Sequence, residues 1–194
     1  MTPFKRRAGY LLLLLCLALN TGQAVYIYAK AELAQVLIAH AWQQQKHQQQ
    51  PLAPWPWADT FAVAKLTVPK LNIEQYVLAG TGGNSLAFGP GWLIGSADIG
   101  VGTSILAGHK DTHFSFLQYL NVGDNINVQT TDGNNHSYRV SSAKVVNIHT
   151  QPLSLGNNDK ALILISCYPF NSIRSNDNLR YRIHATPTNT IAML

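Results

Sequence analysis

The chain predicts an all-β domain, either a barrel or a sandwich, carried behind an N-terminal membrane helix. Seven short runs rich in β-branched and aromatic residues recur between Gly-, Pro- and Asn-rich turns after residue 60. Only Phe114 to Leu120, and a short turn at Ser85 to Phe88, look helical within that region, so the regularly spaced helices of a parallel α/β fold are missing. Before residue 29, by contrast, the chain is an almost unbroken apolar stretch.

That stretch, Ala8 to Tyr28, contains Leu11 to Leu15, Cys16, Leu17 and Leu19 and follows the basic cluster Lys5-Arg6-Arg7. About 20 apolar residues suffice to cross hydrocarbon, and basic residues on the leading side keep that side cytoplasmic. A cleaved signal peptide would need a small-x-small site near Ala24, which Gln23-Ala24 supplies poorly, and Tyr26 and Tyr28 suit an interfacial anchor. The expectation is a retained single-pass inner-membrane anchor, with the folded domain in the periplasm. Ala29 to Gln43 has no Gly or Pro and places Ala29, Leu33, Val36, Leu37, His40 and Ala41 at helical spacing, so the helix continues out of the membrane. A glutamine-rich segment, then Pro51, Pro54 and Pro56, puts the boundary near residues 45 to 58. We divide the chain into an anchor, juxtamembrane helix and linker at 1–50 and a β domain at 51–194.

The net charge of +5 could suggest a nucleic-acid partner. Five of the 14 basic residues precede residue 50, however, and from residue 51 onward nine basic side chains face eight acidic ones. No basic run remains to track a phosphate backbone, and a nucleic-acid function is excluded.

Within the domain, strands are expected at Phe61 to Val68, Ile73 to Ala79, Thr103 to Ala107, Asn125 to Thr130, Ser137 to Ile148, Ala161 to Ser166 and Leu179 to Ala185. Asp132-Gly133 marks a hairpin turn, because glycine accepts a positive φ. Gly80, Gly82, Gly83, Gly89 and Gly91 punctuate a turn-rich segment around the short helix.

Cys167 closes the apolar run Ala161 to Ser166 and is the one cysteine outside the membrane stretch. A cysteine with no intramolecular partner in an exported domain does not staple the fold, so its reactivity is the better reason for its presence, and it is the candidate nucleophile. His109 follows Gly108 at the end of another apolar strand, where side chains emerge into a cleft, and is its candidate partner. The remaining histidines (His40, His47, His113, His136, His149 and His184) show no ligand spacing, and no metal site is expected. On the last strand Leu179, Tyr181 and Ile183 share one face and Arg180 and Arg182 the other, so either guanidinium could sit beside the thiol. Arg174 lies in the preceding loop.

Taken together, the segments Ser85 to Gly91 (SLAFGPG), Ala107 to Phe114 (AGHKDTHF) and Leu164 to Phe170 (LISCYPF) resemble the sortase family, in its Gram-negative, marine proteobacterial type with an N-terminal membrane anchor. The resemblance runs from residue 55 to 186. It implies a closed β-barrel of about eight strands with one or two short helices, and a site of His109, Cys167 and Arg180. It departs from the family pattern at Lys110, where Arg is usual, and at Ser166, where Thr often precedes the cysteine. The implied activity is cysteine transpeptidation at an LPxTG-like C-terminal sorting signal, through a thioester and without a cofactor. The implied partners are a protein substrate bearing that signal, an amine acceptor, and the membrane. Trp55-Pro56-Trp57-Ala58-Asp59 resembles the lids of pilin-assembling sortases, although such segments commonly pack on a surface. Two alternatives stand beside this reading: a tethered peptide-binding β-domain without catalysis, and a cysteine peptidase that mainly hydrolyses. A papain-like enzyme fits poorly, because there the cysteine precedes the histidine.

Overall fold

The computed structural model describes residues 3–151, 159–172, 176 and 178–188. The chain divides into two compact units, Met1–Leu37 and Ile38–Leu194. Helix α1 (Pro3–Gln48) supplies the first and continues into the second. Its apolar portion is long enough to cross a membrane.

The second unit is a closed eight-stranded barrel. Its strands are β1 (Ala62–Val68), β2 (Ile73–Ala79), β3 (Gly91–Trp92), β4 (Ser104–Gly108), β5 (Asn125–Thr130), β6 (Asn135–Asn147), β7 (Leu162–Cys167) and β8 (Leu179–Pro187). They close in the order β1-β2-β3-β4-β7-β8-β6-β5, with β5 paired back to β1. All pairs are antiparallel except β2 with β3 and β4 with β7. Seven strands match the sequence expectation to within two residues at each end. The eighth, β3, was not expected, because two residues carry no alternation to read. Helix α2 (Gly83–Phe88) lies before β3, and the expected helix at Phe114 to Leu120 is a short 3-10 turn, Ser115–Tyr119. Gly133 in the β5–β6 hairpin takes φ +86°, as its turn requires.

Alternation fills the barrel. β1 buries Ala62, Ala64, Leu66 and Val68 in strict period two. Leu66, Val128, Leu162, Leu164 and Ile183 meet Phe114 and Leu117 in one continuous core. β7 departs from period two and is buried on both faces. Leu162 and Leu164 point inward, while Ile163 and Ile165 join Ile105, Leu93 and Ala107 in a second apolar cluster on the outer side. That cluster becomes the floor of the site.

The part of α1 that belongs to this unit also packs on the barrel. Ile38 and Trp42 are each 1% exposed and join Ala62, Leu78, Tyr76, Trp55 and Phe88. Gln45 donates from Nε2 to the Ala62 carbonyl at 2.8 Å. The buried stripe is Ile38, Ala41, Trp42 and Gln45; of the stripe expected from spacing Ala41 belongs to it, whereas Leu33 and Val36 are exposed. An apolar pattern shared by a membrane span and a docking face does not separate the two.

Candidate active site

The parallel pairing of β4 with β7 brings the candidate nucleophile and its candidate partner to the same end of the barrel. Gly108 pairs with Ser166. β4 ends at that pair and β7 one residue later, so His109 and Cys167 are the next residue on each chain past the last pair, and both line one groove. On the other flank β8 runs antiparallel to β7 and sets Arg180 directly opposite Cys167, with Arg182 opposite Ile165. Directly opposed residues share a face with Cβ atoms about 4.5–5.5 Å apart. Register thus separates the two arginines that alternation left equivalent: Arg180 stands opposite the cysteine and Arg182 two pairs further back, beyond Ser166–Tyr181. Arg174 lies outside the described residues.

His109, Cys167 and Arg180 line a single groove of about 350 Å³. Its remaining walls are mostly apolar, from Leu86 of α2, Leu93, Ile105, Ala107, Ile148 and Ile165, with Thr81 and Ser166 adding hydroxyls. The thiol is half-buried and His109 exposed, so both are accessible from the groove. Arg180 donates from Nη1 to its own strand's Leu179 carbonyl at 2.9 Å and to the Asn176 carbonyl at 3.4 Å, which fixes the direction of the guanidinium.

Small residues behind the strand ends allow this approach. A Cβ on Gly108 would lie 2.6 Å from Cγ of Phe114, whose fully buried ring fills that space. Ser166 donates from Oγ to the Gly108 carbonyl at 2.8 Å, tying β7 to β4 one residue before Cys167 and His109. His113 reaches the same neighbourhood and is partly buried. Burial pushes its pKa below the ordinary 6.5, the Ala87 backbone acts in the opposite sense, and the charge of His109 adds to the depression.

The other histidines go elsewhere. His184 meets Ser141 Oγ at 2.9 Å, with its pKa lowered mainly by burial and then by Arg182. His149 meets Asn178 Oδ1 at 3.0 Å. His136 lines a larger concavity of about 500 Å³ with Trp92, Asp98 and Gly100, which shares no lining residue with the groove.

A family model for the sortase domain matches residues 66–188. The chain belongs to the sortase family. Sortase D of Bacillus subtilis (strain 168) is 32% identical over 122 residues, covering 61% of this chain; the chain in turn spans 60% of that relative's length. Among solved structures, sortase A from Corynebacterium diphtheriae has a TM-score of 0.61 at 21% identity, covering 83% of this chain and 86% of that one. The sortase D5 transpeptidase of Clostridium perfringens has a TM-score of 0.59 at 18% identity, covering 75% and 87%. The sortase barrel is therefore the fold.

Sequence reading did not find the groove's apolar walls. The signal for them was the uninterrupted burial potential of Leu162 to Ile165, since a strand covered on both faces reads as a continuous apolar run. Among the described residues that line the groove, none comes from Trp55 to Asp59. Trp55 instead packs edge-on against Phe88 at 5.1 Å, and Asp59 accepts from Asn84 Nδ2 at 2.8 Å.

Proposed function

We propose that this sortase is a membrane-anchored cysteine transpeptidase acting on an LPxTG-like C-terminal sorting signal. The observation that carries the proposal is the convergence of His109, Cys167 and Arg180, from three strand ends, on one apolar groove.

In this mechanism the Cys167 thiolate attacks the Thr carbonyl carbon of the bound peptide and forms a tetrahedral intermediate. Arg180 donates to the oxyanion or to a peptide carbonyl, where fixed donors in a water-poor groove are worth more than in solution. Collapse of the intermediate breaks the Thr–Gly C–N bond, and imidazolium His109 delivers its proton to the departing amine. The product is a thioester between Cys167 and the shortened protein. An incoming amine, deprotonated by the now neutral His109, attacks the thioester, forms a new amide and returns the thiolate. The apolar walls suit the aliphatic side chain and proline of such a signal.

The apolar length of α1, with Lys5, Arg6 and Arg7 before it, supports an inner-membrane anchor with a cytoplasmic N-terminus and a periplasmic catalytic domain. The contacts of Ile38 and Trp42 support a functional domain that begins near Ile38. Incubating the protein with a fluorescent LPxTG-type peptide and an amine tests the activity. Amide product from the wild type and none from Cys167→Ala is expected, and hydrolysed peptide alone would replace transfer with proteolysis.

A further inference from the structure

Lys110, the residue after His109, is only 5% exposed. Removing an ammonium from water is costly unless each donor finds a partner. Lys110 has three donors and meets three oxygens: Asp111 Oδ1 at 2.8 Å, the Ser172 carbonyl at 2.6 Å and the Phe170 carbonyl at 3.4 Å. Asp111 is its neighbour in sequence and its side chain is largely solvated, so that bond joins nothing distant. The two carbonyls belong to the segment that follows Cys167, about 60 residues away in the chain.

The same segment is held from its other side by aromatic contacts. Tyr168 stacks on Tyr181 with ring centroids 6.4 Å apart, and Phe170 meets Tyr181 edge-on at 5.2 Å. Tyr181 neighbours Arg180 on β8. The backbone leaving Cys167 is therefore gripped by the Arg180 strand on one side and by the His109 loop on the other. The Ser166–Gly108 bond lies beneath both contacts.

We propose that Lys110 is a positioning residue. Its buried ammonium fixes the segment after Cys167 against the segment carrying His109, so that thiol and imidazole hold one relative placement while peptide binds and product leaves. This deepens the transpeptidase reading and rests on it. A buried charge is a poor source of stability compared with apolar packing, but it supplies directed bonds that two opposed loops otherwise lack.

The test uses the full chain in detergent micelles with Cys16→Ser, which leaves Cys167 as the single thiol. Lys110→Met and Lys110→Arg are compared by hydrogen exchange and by acylation kinetics on an LPxTG-type peptide. In Lys110→Met, exchange across residues 168–172 should accelerate on the order of tenfold while β5 and β6 stay unchanged, the pattern of local opening. Its kcat should fall on the order of 100-fold, the scale of a misplacement of about 1 Å, with little change in KM. Lys110→Arg, which can also serve two carbonyls, should recover most of both. Wild-type exchange and kcat in Lys110→Met overturn the proposal. So does acceleration spread equally over β5 and β6, or a loss that Lys110→Arg does not recover. If the wild type forms no acyl-enzyme, the transpeptidase reading falls, and the local exchange pattern still decides whether Lys110 holds the segment.

Discussion

Replacing Trp42 by Ala should destabilise the barrel unit by about 3–5 kcal/mol, the range for emptying a buried aromatic site. Trp42 is 1% exposed, its ring lies 6.0 Å from that of Tyr76, and it packs with Ile38, Ala62 and Leu78. A buried aromatic covers about 150–250 Å², which at about 25 cal/mol per Å² corresponds to about 4–6 kcal/mol, a ceiling that the retained Cβ lowers. Starting the chain at residue 51 removes Trp42 and also Ile38, adding about 1.5–3 kcal/mol, and the Gln45–Ala62 bond, adding about 1 kcal/mol. Against a total stability of about 5–15 kcal/mol, a 51–194 fragment is left close to unfolding, whereas a 38–194 fragment keeps the contacts. Urea titrations of 38–194, its Trp42→Ala variant and 51–194, followed by circular dichroism, measure the differences. A Trp42→Ala loss below about 1 kcal/mol, or equal midpoints for the two fragments, would refute the claim that this stretch of helix belongs to the barrel's packing.

Two further outcomes follow from the site. Arg180→Lys should lose most of the acylation rate, because a point-charge ammonium does not reproduce an oriented double donor, while Arg182→Lys should lose little; steady-state kinetics showing the larger loss at Arg182 would contradict the β7–β8 register as the determinant. Burial lowers the pKa of His113 in the folded protein, so the unfolded chain takes up that proton first as pH falls; the contribution to stability is complete above about 6.5, declines as pH drops from there towards the lower folded value, and then levels off. His113→Gln should flatten that part of a stability-against-pH curve measured by denaturation, and a curve parallel to the wild type would refute the assignment.

How much of this was legible in the sequence depended on whether the signal was local. Period-two burial wrote β1 plainly in Ala62, Ala64, Leu66 and Val68, and the Asp132-Gly133 turn fixed the β5–β6 hairpin. Cys167 and His109 stood out because each ends an apolar run. What alternation lacked was register: Arg180 and Arg182 lie on one face, and only the pairing of Cys167 with Arg180 orders them. Lys110 appeared as a substitution of one basic residue for another, since its burial depends on carbonyls about 60 residues away. The outer apolar cluster of Ile105, Ile163 and Ile165 was hidden for a related reason, because a run of apolar residues does not say which neighbours cover its second face.

On this mechanism Cys167 becomes acylated by a sorting peptide while Arg180 acts on the oxygen and His109 on the nitrogen of the amide that breaks. Intact-protein mass spectrometry after rapid acid quench, with an LPxTG-type peptide and no amine, measures this directly. The expected result is an adduct that adds the mass of the peptide acid ending at its threonine less one water, mapped to Cys167, absent in Cys167→Ala and reduced in Arg180→Lys. An adduct at another residue, or cleavage of the peptide by Cys167→Ala at the wild-type rate, would contradict it.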